Sequence, residues 1–169
     1  EDHAINISPP ARSSARFLPE KTITTGADAA ESVFAADIDG DGDLDVLSAS
    51  QFDKMIAWYE NDGNQVFSRH IVTTDLIGAA SVFASDLDGD GDVDIVAAGS
   101  VSFSTNRIVW FENDGQQAFT VHNIATVGSE VTIAIADIEQ DGDLDIISAD
   151  FFGNRVLVYV NNGQQEFAA

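Results

Sequence analysis

The stretch DIDGDGDLD at residues 37–45 decides the fold of this chain, because it recurs as DLDGDGDVD at 86–94 and as DIEQDGDLD at 137–145. We call these stretches the first, second and third acidic loops. Alternating acids place oxygens at positions 1, 3, 5 and 9 of a tight loop, and glycine at position 6 allows the sharp turn that brings them together. Carboxylates about 4 Å apart repel by roughly 1 kcal/mol in water and about 4 kcal/mol at an intermediate dielectric. Each loop therefore predicts a hard-cation site, with calcium as the expected ion and up to three ions per chain.

The acidity of the chain belongs mainly to these loops. They hold about half of the 29 acidic residues, which stand against 7 basic ones and give a net charge of -22. Three bound calcium ions would still leave the chain strongly negative, which disfavours phosphate backbones and anionic lipid surfaces. We therefore expect neither nucleic-acid binding nor membrane insertion. A second reason against membrane insertion is that no stretch approaches about 18 consecutive apolar residues. Cysteine is absent, which excludes disulfides and thiolate metal sites, whereas 44% apolar residues indicate a folded chain.

Short apolar runs flank every acidic loop. They are too short for helices, are rich in β-branched or small residues and are bounded by turn signals, which is typical of buried strands. The runs lie at 32–36, 81–85 and 131–136 before the loops, and at 46–49, 95–98 and 146–149 after them. Each acidic loop is therefore predicted to be the turn of a β-hairpin.

Two further segments complete each repeat. In one segment of each repeat, apolar residues alternate with polar or aromatic ones, and the segment ends in an Asn/Asp-Gly turn. This pattern predicts a strand entering a second hairpin, at residues 56–63, 108–115 and 156–163. Residues 67–72 and 119–124 then predict a fourth strand. Four antiparallel strands in roughly 50 residues make the blade of a β-propeller. The predicted fold class is therefore all-β, a propeller of four-stranded antiparallel blades in three repeats.

The predicted domain organisation is an N-terminal extension over 1–16 followed by repeats at about 17–66, 67–118 and 119–169. Residues 17–24 predict a fourth strand with no blade before it, and this strand could complete the last blade. Propellers usually have at least four blades. We therefore expect the missing blades to come from a longer parent chain or from a second copy, two chains joining head to tail as a six-bladed ring.

Taken together, these features resemble the FG-GAP and VCBS-type repeats that build the propeller of integrin α subunits and many secreted microbial proteins. The resemblance spans about residues 17–167 and rests on the acidic loops and on WYENDG at 58–63 and WFENDG at 110–115. It implies that calcium is bound by the side chains at positions 1, 3, 5 and 9 and by the main-chain carbonyl at position 7. The implied ligands are Asp37, Asp39, Asp41, Asp43 (carbonyl) and Asp45; Asp86, Asp88, Asp90, Asp92 (carbonyl) and Asp94; and Asp137, Glu139, Asp141, Asp143 (carbonyl) and Asp145.

The third acidic loop departs from this pattern at Glu139 and Gln140. A longer carboxylate replaces aspartate there, and a glycine is lost. We expect the third loop to bind calcium more weakly than the other two.

Two other interpretations of the loops are weaker. An EF-hand loop shares positions 1 to 9 but needs a bidentate acid at position 12 and helices on both sides. Position 12 here is Ser48, Ala97 or Ser148, and the flanks are strand-like. A solvated acidic turn without an ion is disfavoured because one ligand spacing occurs three times. The expected role of the calcium is structural, since an ion bound only by the folded state stabilises the fold.

The aromatic residues of the third strands leave two interpretations open. Trp58 and Trp110 could form ligand-stacking platforms for sugars, but repeated aromatics more often fill the space between blades, which we favour. His70 and His122 recur at matching positions and are interpreted as strand residues.

The predicted function is that of a calcium-binding, non-catalytic propeller module acting in adhesion or in protein or glycan binding. The acids outside the loops form no pair whose spacing implies acid and base roles. The alternative is the propeller part of a carbohydrate-active enzyme such as a polysaccharide lyase. Millimolar calcium outside cells favours a secreted or cell-surface location. The scattered acids are Asp28, Glu31, Asp53, Asp75, Glu130 and Asp150.

Overall fold

A computed structural model describes residues 19–102, 105–128 and 131–168, and this part of the chain is all-β. Its strands form three sheets of four, here called blades 1, 2 and 3. Blade 1 contains β1 (Ala30–Ala36), β2 (Asp45–Ser50), β3 (Met55–Asn61) and β4 (Phe67–Thr73). Blade 2 contains β5 (Ile77–Ser85), β6 (Asp94–Ser102), β7 (Thr105–Asn113) and β8 (Phe119–Val127). Blade 3 contains β9 (Val131–Ala136), β10 (Asp145–Asp150), β11 (Arg155–Asn161) and β12 (Phe167–Ala168).

Each blade is an antiparallel meander in which strands that follow each other in the sequence are hydrogen-bonded neighbours. The first acidic loop joins β1 to β2, and the pair Ala36 and Asp45 closes that hairpin. The second and third loops close on Ser85 with Asp94 and on Ala136 with Asp145. The prediction that the acidic loops are hairpin turns is confirmed, as is the prediction of four antiparallel strands per repeat.

The blades pack face to face in chain order, so that two apolar cores lie between them. The core between blades 1 and 2 includes Leu47 and Trp58 from one sheet and Ile95 and Phe111 from the next. A second core between blades 2 and 3 includes Trp110 and Tyr159 with their neighbours. This stacking is consistent with consecutive propeller-like blades, whereas a closed propeller and the number of its blades stay predictions. No helix in the described ranges is long and apolar enough to cross a membrane.

The strand predicted over residues 17–24 is wrong for its described part. Residues 17 and 18, like the predicted extension over 1–16, lie outside the described residues, and residues 19–24 form no strand. Pro19 cannot donate to a sheet ladder, and Lys21 holds the segment to blade 1 through its side chain rather than through strand pairing. Lys21 donates to the carbonyl oxygen of Gln65, and its ammonium lies 5.8 Å from the centre of the Phe67 ring.

The sheets also run over different residues from the sequence repeats. Blade 1 covers 30–73, blade 2 covers 77–127 and blade 3 covers 131–168. Repeats counted from residues 67 and 119 therefore cut between the third and fourth strands of a sheet, because β4 pairs with β3 and β8 pairs with β7.

Candidate metal centres

Carboxylates converge in the first two acidic loops. In the first loop, one oxygen each from Asp37, Asp39 and Asp45 lies within 4.8 Å of the others. The second loop gathers Asp86, Asp88 and Asp94 in the same way. We call these two groups the aspartate trios. Several carboxylate oxygens gathered in one place are the kind of donor set that calcium prefers.

The aspartate at position 9 anchors each loop to the body of its blade. Asp45 is fully buried at the first position of β2. Its Oδ2 accepts a hydrogen bond from the Ile38 N–H at 2.9 Å, and its Oδ1 accepts one from the Asn61 N–H at 2.8 Å. A single carboxylate therefore holds the start of the loop and the end of β3 together.

The other blades repeat this anchor. Asp94 accepts from the N–H of Leu87 at 3.1 Å and of Asn113 at 2.8 Å. In blade 3, Asp145 accepts from the N–H groups of Ile138 and Asn161, both at 2.9 Å. The sequence analysis treated position 9 only as a metal ligand and overlooked the asparagine that ends each third strand. Its recurrence at 61, 113 and 161 was the available signal.

The aspartate at position 1 tests whether the first loop fits a cation. Asp37 Oδ2 accepts a hydrogen bond from the Gly42 N–H at 2.9 Å. Asp37 Oδ1 is buried and accepts no hydrogen bond within the described part of the chain. A buried carboxylate oxygen without a partner is costly. A cation beside Asp39 and Asp45 would remove that cost, so the residues of the first loop fit calcium.

Positions 3, 5 and 7 shape the loop through short-range bonds. Asp39 Oδ1 accepts from the Asp41 N–H at 3.2 Å, and Asp41 Oδ1 accepts from the Asp43 N–H at 2.9 Å. The Asp43 side chain points to the second hairpin, where a Cβ atom on Gly63 would lie 2.5 Å from its Oδ2. Asp43 and Asp41 stay outside the trio, and the ligand roles assigned to Asp41 and to the Asp43 carbonyl remain predictions.

Burial and mutual repulsion raise the pKa of four trio members, Asp39, Asp45, Asp88 and Asp94. Desolvation is the main cause that raises the pKa of Asp39, Asp45 and Asp88, and nearby carboxylates add to it. For Asp94, desolvation raises the pKa to about 6, although hydrogen bonds from the backbone of Asn113 and Leu87 oppose the rise. The charged form of these groups is therefore unfavourable without a counter-ion, as expected of cation ligands.

The third loop keeps the same backbone but does not gather its carboxylates. Asp137 accepts from the N–H groups of Asp141 and Gly142 at 3.2 and 3.1 Å, so both of its oxygens have partners. Among the described residues, Asp137, Glu139 and Asp145 form no group like the aspartate trios. Gln140 has a φ of 61°, where the first two loops have Gly40 at 75° and Gly89 at 77°. A residue with a side chain is thus held in a conformation that glycine adopts at less cost.

The two tryptophans are core residues, and the prediction that they could serve as stacking platforms is not supported. Trp58 and Trp110 are each only 3% exposed. His70 stacks on Trp58 with ring centres 4.4 Å apart, and His122 stacks on Trp110 at 4.6 Å. No ring face of either tryptophan is open to a sugar.

Each of these histidines also binds a glutamate. His70 Nε2 lies 2.7 Å from Glu60 Oε2, and His122 Nε2 lies 2.6 Å from Glu112 Oε2. The first contact joins β3 to β4, and the second joins β7 to β8. The histidines therefore stabilise the outer hairpins of blades 1 and 2. The matching position to Glu60 and Glu112 in blade 3 is Val160, so the arrangement is not repeated there.

Comparison with known families supports the resemblance noted from the sequence. The model of an FG-GAP-like repeat matches twice, over residues 37–97 and 86–148, and these matches together cover more than half of the chain. No curated protein matches the chain. Repeats of this kind are generally non-catalytic structural modules and occur mainly in extracellular proteins. On the strength of its acidic loops, its four-stranded sheets and these matches, the chain belongs to the FG-GAP-like repeat family.

Proposed function

We propose that the chain is a calcium-binding, non-catalytic propeller module of a secreted or cell-surface protein. The observation that carries this proposal is the pair of aspartate trios, each built on a fully buried anchor, Asp45 or Asp94. A charged group buried to this degree is costly unless it is paired with an opposite charge. The described residues offer no lysine or arginine in an ion pair with a trio member. A bound cation supplies that charge.

In this proposal, Asp37, Asp39 and Asp45 hold one ion, and the corresponding residues of the second loop hold another. The third loop holds its ion more weakly or not at all, because its carboxylates do not converge. When bound, calcium neutralises the acidic residues and fixes each loop against its blade. The role of the ion is thus to stabilise the propeller, whose surfaces then present a binding site for a protein or glycan ligand, as in adhesion.

The support for a non-catalytic role comes from where the titratable side chains lie. The acids of the two aspartate trios are assigned to the metal centres. The two Glu–His pairs are bound to each other and stacked on buried tryptophans, so they hold hairpins together. The extracellular location rests on the family and on the millimolar calcium there, since extracellular modules bind calcium with dissociation constants of about 0.1 to 1 mM.

Calorimetric titration with calcium tests the metal centres. We expect two ions per chain with dissociation constants of about 0.1 mM, and each should add about 1.4 kcal/mol to the free energy of unfolding at 1 mM free calcium. The double variant Asp39→Asn with Asp88→Asn should lose both binding events. Asp75→Asn, which removes an acid outside the loops, is the matched control and should bind as the parent does.

Two results would contradict the proposal. One is a calcium-independent melting temperature for the parent chain. The other is binding that survives in the double variant. A screen of the calcium-loaded chain on a glycan array, repeated in chelator, tests the ligand-binding part, for which we expect binding that disappears when calcium is removed.

A further inference from the structure

A groove of about 240 Å³ lies between blades 1 and 2. One wall contains Val72 near the end of β4 and Leu76 in the segment that follows β4. The other wall belongs to β7 and β8 of blade 2, where Val109, Phe111 and Val121 form an apolar strip. Both blades that form the groove are four-stranded sheets. The groove is therefore an internal feature of the array.

Arg107 lies at one end of the apolar strip. It precedes Val109 and Phe111 on β7, and side chains two residues apart on a strand point to the same face. Val109 and Phe111 belong to the core between blades 1 and 2, so Arg107 faces blade 1 as well. Four residues of strand span about 13 Å. A guanidinium and an aromatic ring are thus separated by the length of a small amphipathic molecule.

The guanidinium of Arg107 has no partner among the described residues. Its Nε is shielded from water and donates no hydrogen bond there. The three ion pairs of the described chain join other residues, although Asp75 lines the same groove. A buried charged donor without an acceptor is costly. Arg107 stays unpaired although the chain has 29 acidic residues and only 7 basic ones.

Blade 3 shows how an arginine at this position is satisfied when the sheet supplies an acid. Arg155 and Arg107 each lie six residues before the asparagine that ends their strand. Asp150 lies opposite Arg155 across the β10–β11 pair, and Arg155 Nη2 donates to Asp150 Oδ2 at 2.7 Å. In blade 2, the residue opposite Arg107 is Gly99, which has no side chain. Blade 2 therefore has the arginine of this pair without its carboxylate.

The packing around Gly99 leaves no space for an acid at that position. A Cβ atom on Gly99 would lie 2.7 Å from Leu76 Cγ and 3.2 Å from Ala79 Cα. Leu76 and Ala79 are both buried in the core between blades 1 and 2, which holds them in place. Leu76 and Arg107 line the same groove. The groove is therefore the route by which an acid from outside the chain reaches the guanidinium.

We propose that this groove binds a small apolar molecule that carries a carboxylate, and that Arg107 recognises the carboxylate. The planar fork of arginine donates two parallel hydrogen bonds to such a group. The apolar part of the ligand lies along Val109, Phe111 and Val121. The ligand is small because the groove is below the range of about 300–1,000 Å³ that is typical of drug-sized sites.

Two observations decide the chemical class of the ligand. A carboxylate is the group that pairs with Arg155 at the same position in blade 3. The strip beside Arg107 is apolar, so the rest of the ligand is apolar too. This inference goes beyond the proposed function and does not depend on calcium.

Hydrocinnamate is the probe that tests the inference, because two methylene groups join its phenyl ring to its carboxylate. It is titrated into the isotope-labelled, calcium-loaded chain, and the side-chain Nε–H signals of the five arginines are followed by NMR. We expect saturable binding with the largest shift at Arg107. Acetate, which lacks the ring, and the corresponding alcohol, which lacks the charge, should each bind roughly tenfold more weakly.

Replacing the arginine tests its role directly. Arg107→Met places in blade 2 the residue that blade 1 has at this position, Met55, so this variant should fold. We expect it to bind hydrocinnamate roughly tenfold more weakly and to bind the alcohol as the parent does. Arg69→Met is the matched control. Arg69 donates to the Gly26 carbonyl oxygen at 3.3 Å and lies outside the groove, so this variant should bind as the parent does.

A second pair of variants tests the apolar strip. Val121 is 63% exposed in the groove, and Val121→Glu should weaken hydrocinnamate binding because it places a negative charge beside the ligand. Val66 is 60% exposed in the turn between β3 and β4, outside the groove. Val66→Glu should therefore leave the affinity unchanged.

The remaining acid of the groove distinguishes an anionic ligand from a cationic one. Asp75 is exposed and repels a carboxylate, so Asp75→Asn should bind hydrocinnamate about twofold more tightly. The corresponding amine should bind more weakly than hydrocinnamate. Tighter binding of the amine would overturn the inference, as would the absence of saturable binding. A largest shift at another arginine, or an unchanged affinity in Arg107→Met, would overturn it as well.

Discussion

The first two acidic loops and the third differ in one respect, although they share a backbone. All three are held by a position 9 aspartate that accepts two backbone N–H groups, at 2.9 and 2.8 Å for Asp45 and at 2.9 Å for both bonds of Asp145. Only the first two bring three carboxylates within 4.8 Å of one another. Hydrogen bonds therefore shape the hairpin turn without the aid of a metal site. The carboxylates converge only in the two loops that have aspartate at position 3 and glycine at position 4.

Replacing the position 9 aspartate should show most clearly how the first and third acidic loops differ in their contribution to stability. In calcium, Asp45→Ala should lower the free energy of unfolding by about 3 kcal/mol, because two buried N–H groups lose their acceptor and the ion loses a ligand. Asp145→Ala should cost about 2 kcal/mol, since it loses the hydrogen bonds alone. Urea unfolding followed by circular dichroism measures both values.

Chelator provides the control for this pair. Without calcium the two variants should become equally stable, because the difference between them is assigned to the ion. If Asp45→Ala still cost more than Asp145→Ala in chelator, the difference would lie in packing instead.

Converting the third loop into a copy of the first should remove the contrast. The double variant Glu139→Asp with Gln140→Gly restores the short acid and relieves a side chain held at a φ of 61°. We expect a stability gain of about 1 kcal/mol and a third calcium ion in calorimetric titration. Gln65→Gly, at another non-glycine residue with positive φ, controls for backbone relief alone and should leave the number of bound ions unchanged.

The smallest expected effect is the dependence of stability on pH. In the metal-free protein the pKa of Asp94 is about 6, above its value of 3.8 in an unfolded chain. The folded state then binds the proton more tightly, so the free energy of unfolding rises as pH falls from 7 through 6 toward 4. After allowance for solvent screening, we expect roughly 1 kcal/mol, or about 2–4 °C in melting temperature.

Calcium should reverse this trend. Protons compete with the ion for the same carboxylates, so the calcium-loaded protein should be less stable at pH 5 than at pH 7. A thermal scan across this range, with and without chelator, measures both slopes. The same slope under both conditions would mean that the trios do not bind the ion.

Most of the fold could be predicted from the sequence because the repeats give the same signals three times. The period near 50 residues, the short apolar runs and the Asn/Asp-Gly turns fixed four strands per blade. The prediction failed for residues 19–24, where the pattern indicates a strand but the segment pairs with no strand of a sheet. A strand needs a partner, and a pattern in one segment cannot show whether that partner is present.

The candidate site was predictable as a set of residues but not as a geometry. Position and spacing identified Asp37, Asp39 and Asp45, whereas the exclusion of Asp41 from the trio depends on where its side chain turns. The stacking of His70 on Trp58 was not anticipated, because it depends on cross-strand register, which places the two residues opposite each other. The sequence shows which residues recur, and the register decides which of them touch.

The asparagine that ends the third strand of each blade affects how the molecule unfolds. The N–H of Asn113 is held by Asp94 of its own blade, while its side chain reaches the Ile38 carbonyl oxygen of the blade before. Loosening one loop therefore weakens its own blade and its neighbour together. In a linear array such nearest-neighbour coupling makes unfolding cooperative. Amide hydrogen exchange should accordingly show the protection of blade 2 falling when the ligands of the first loop alone are removed.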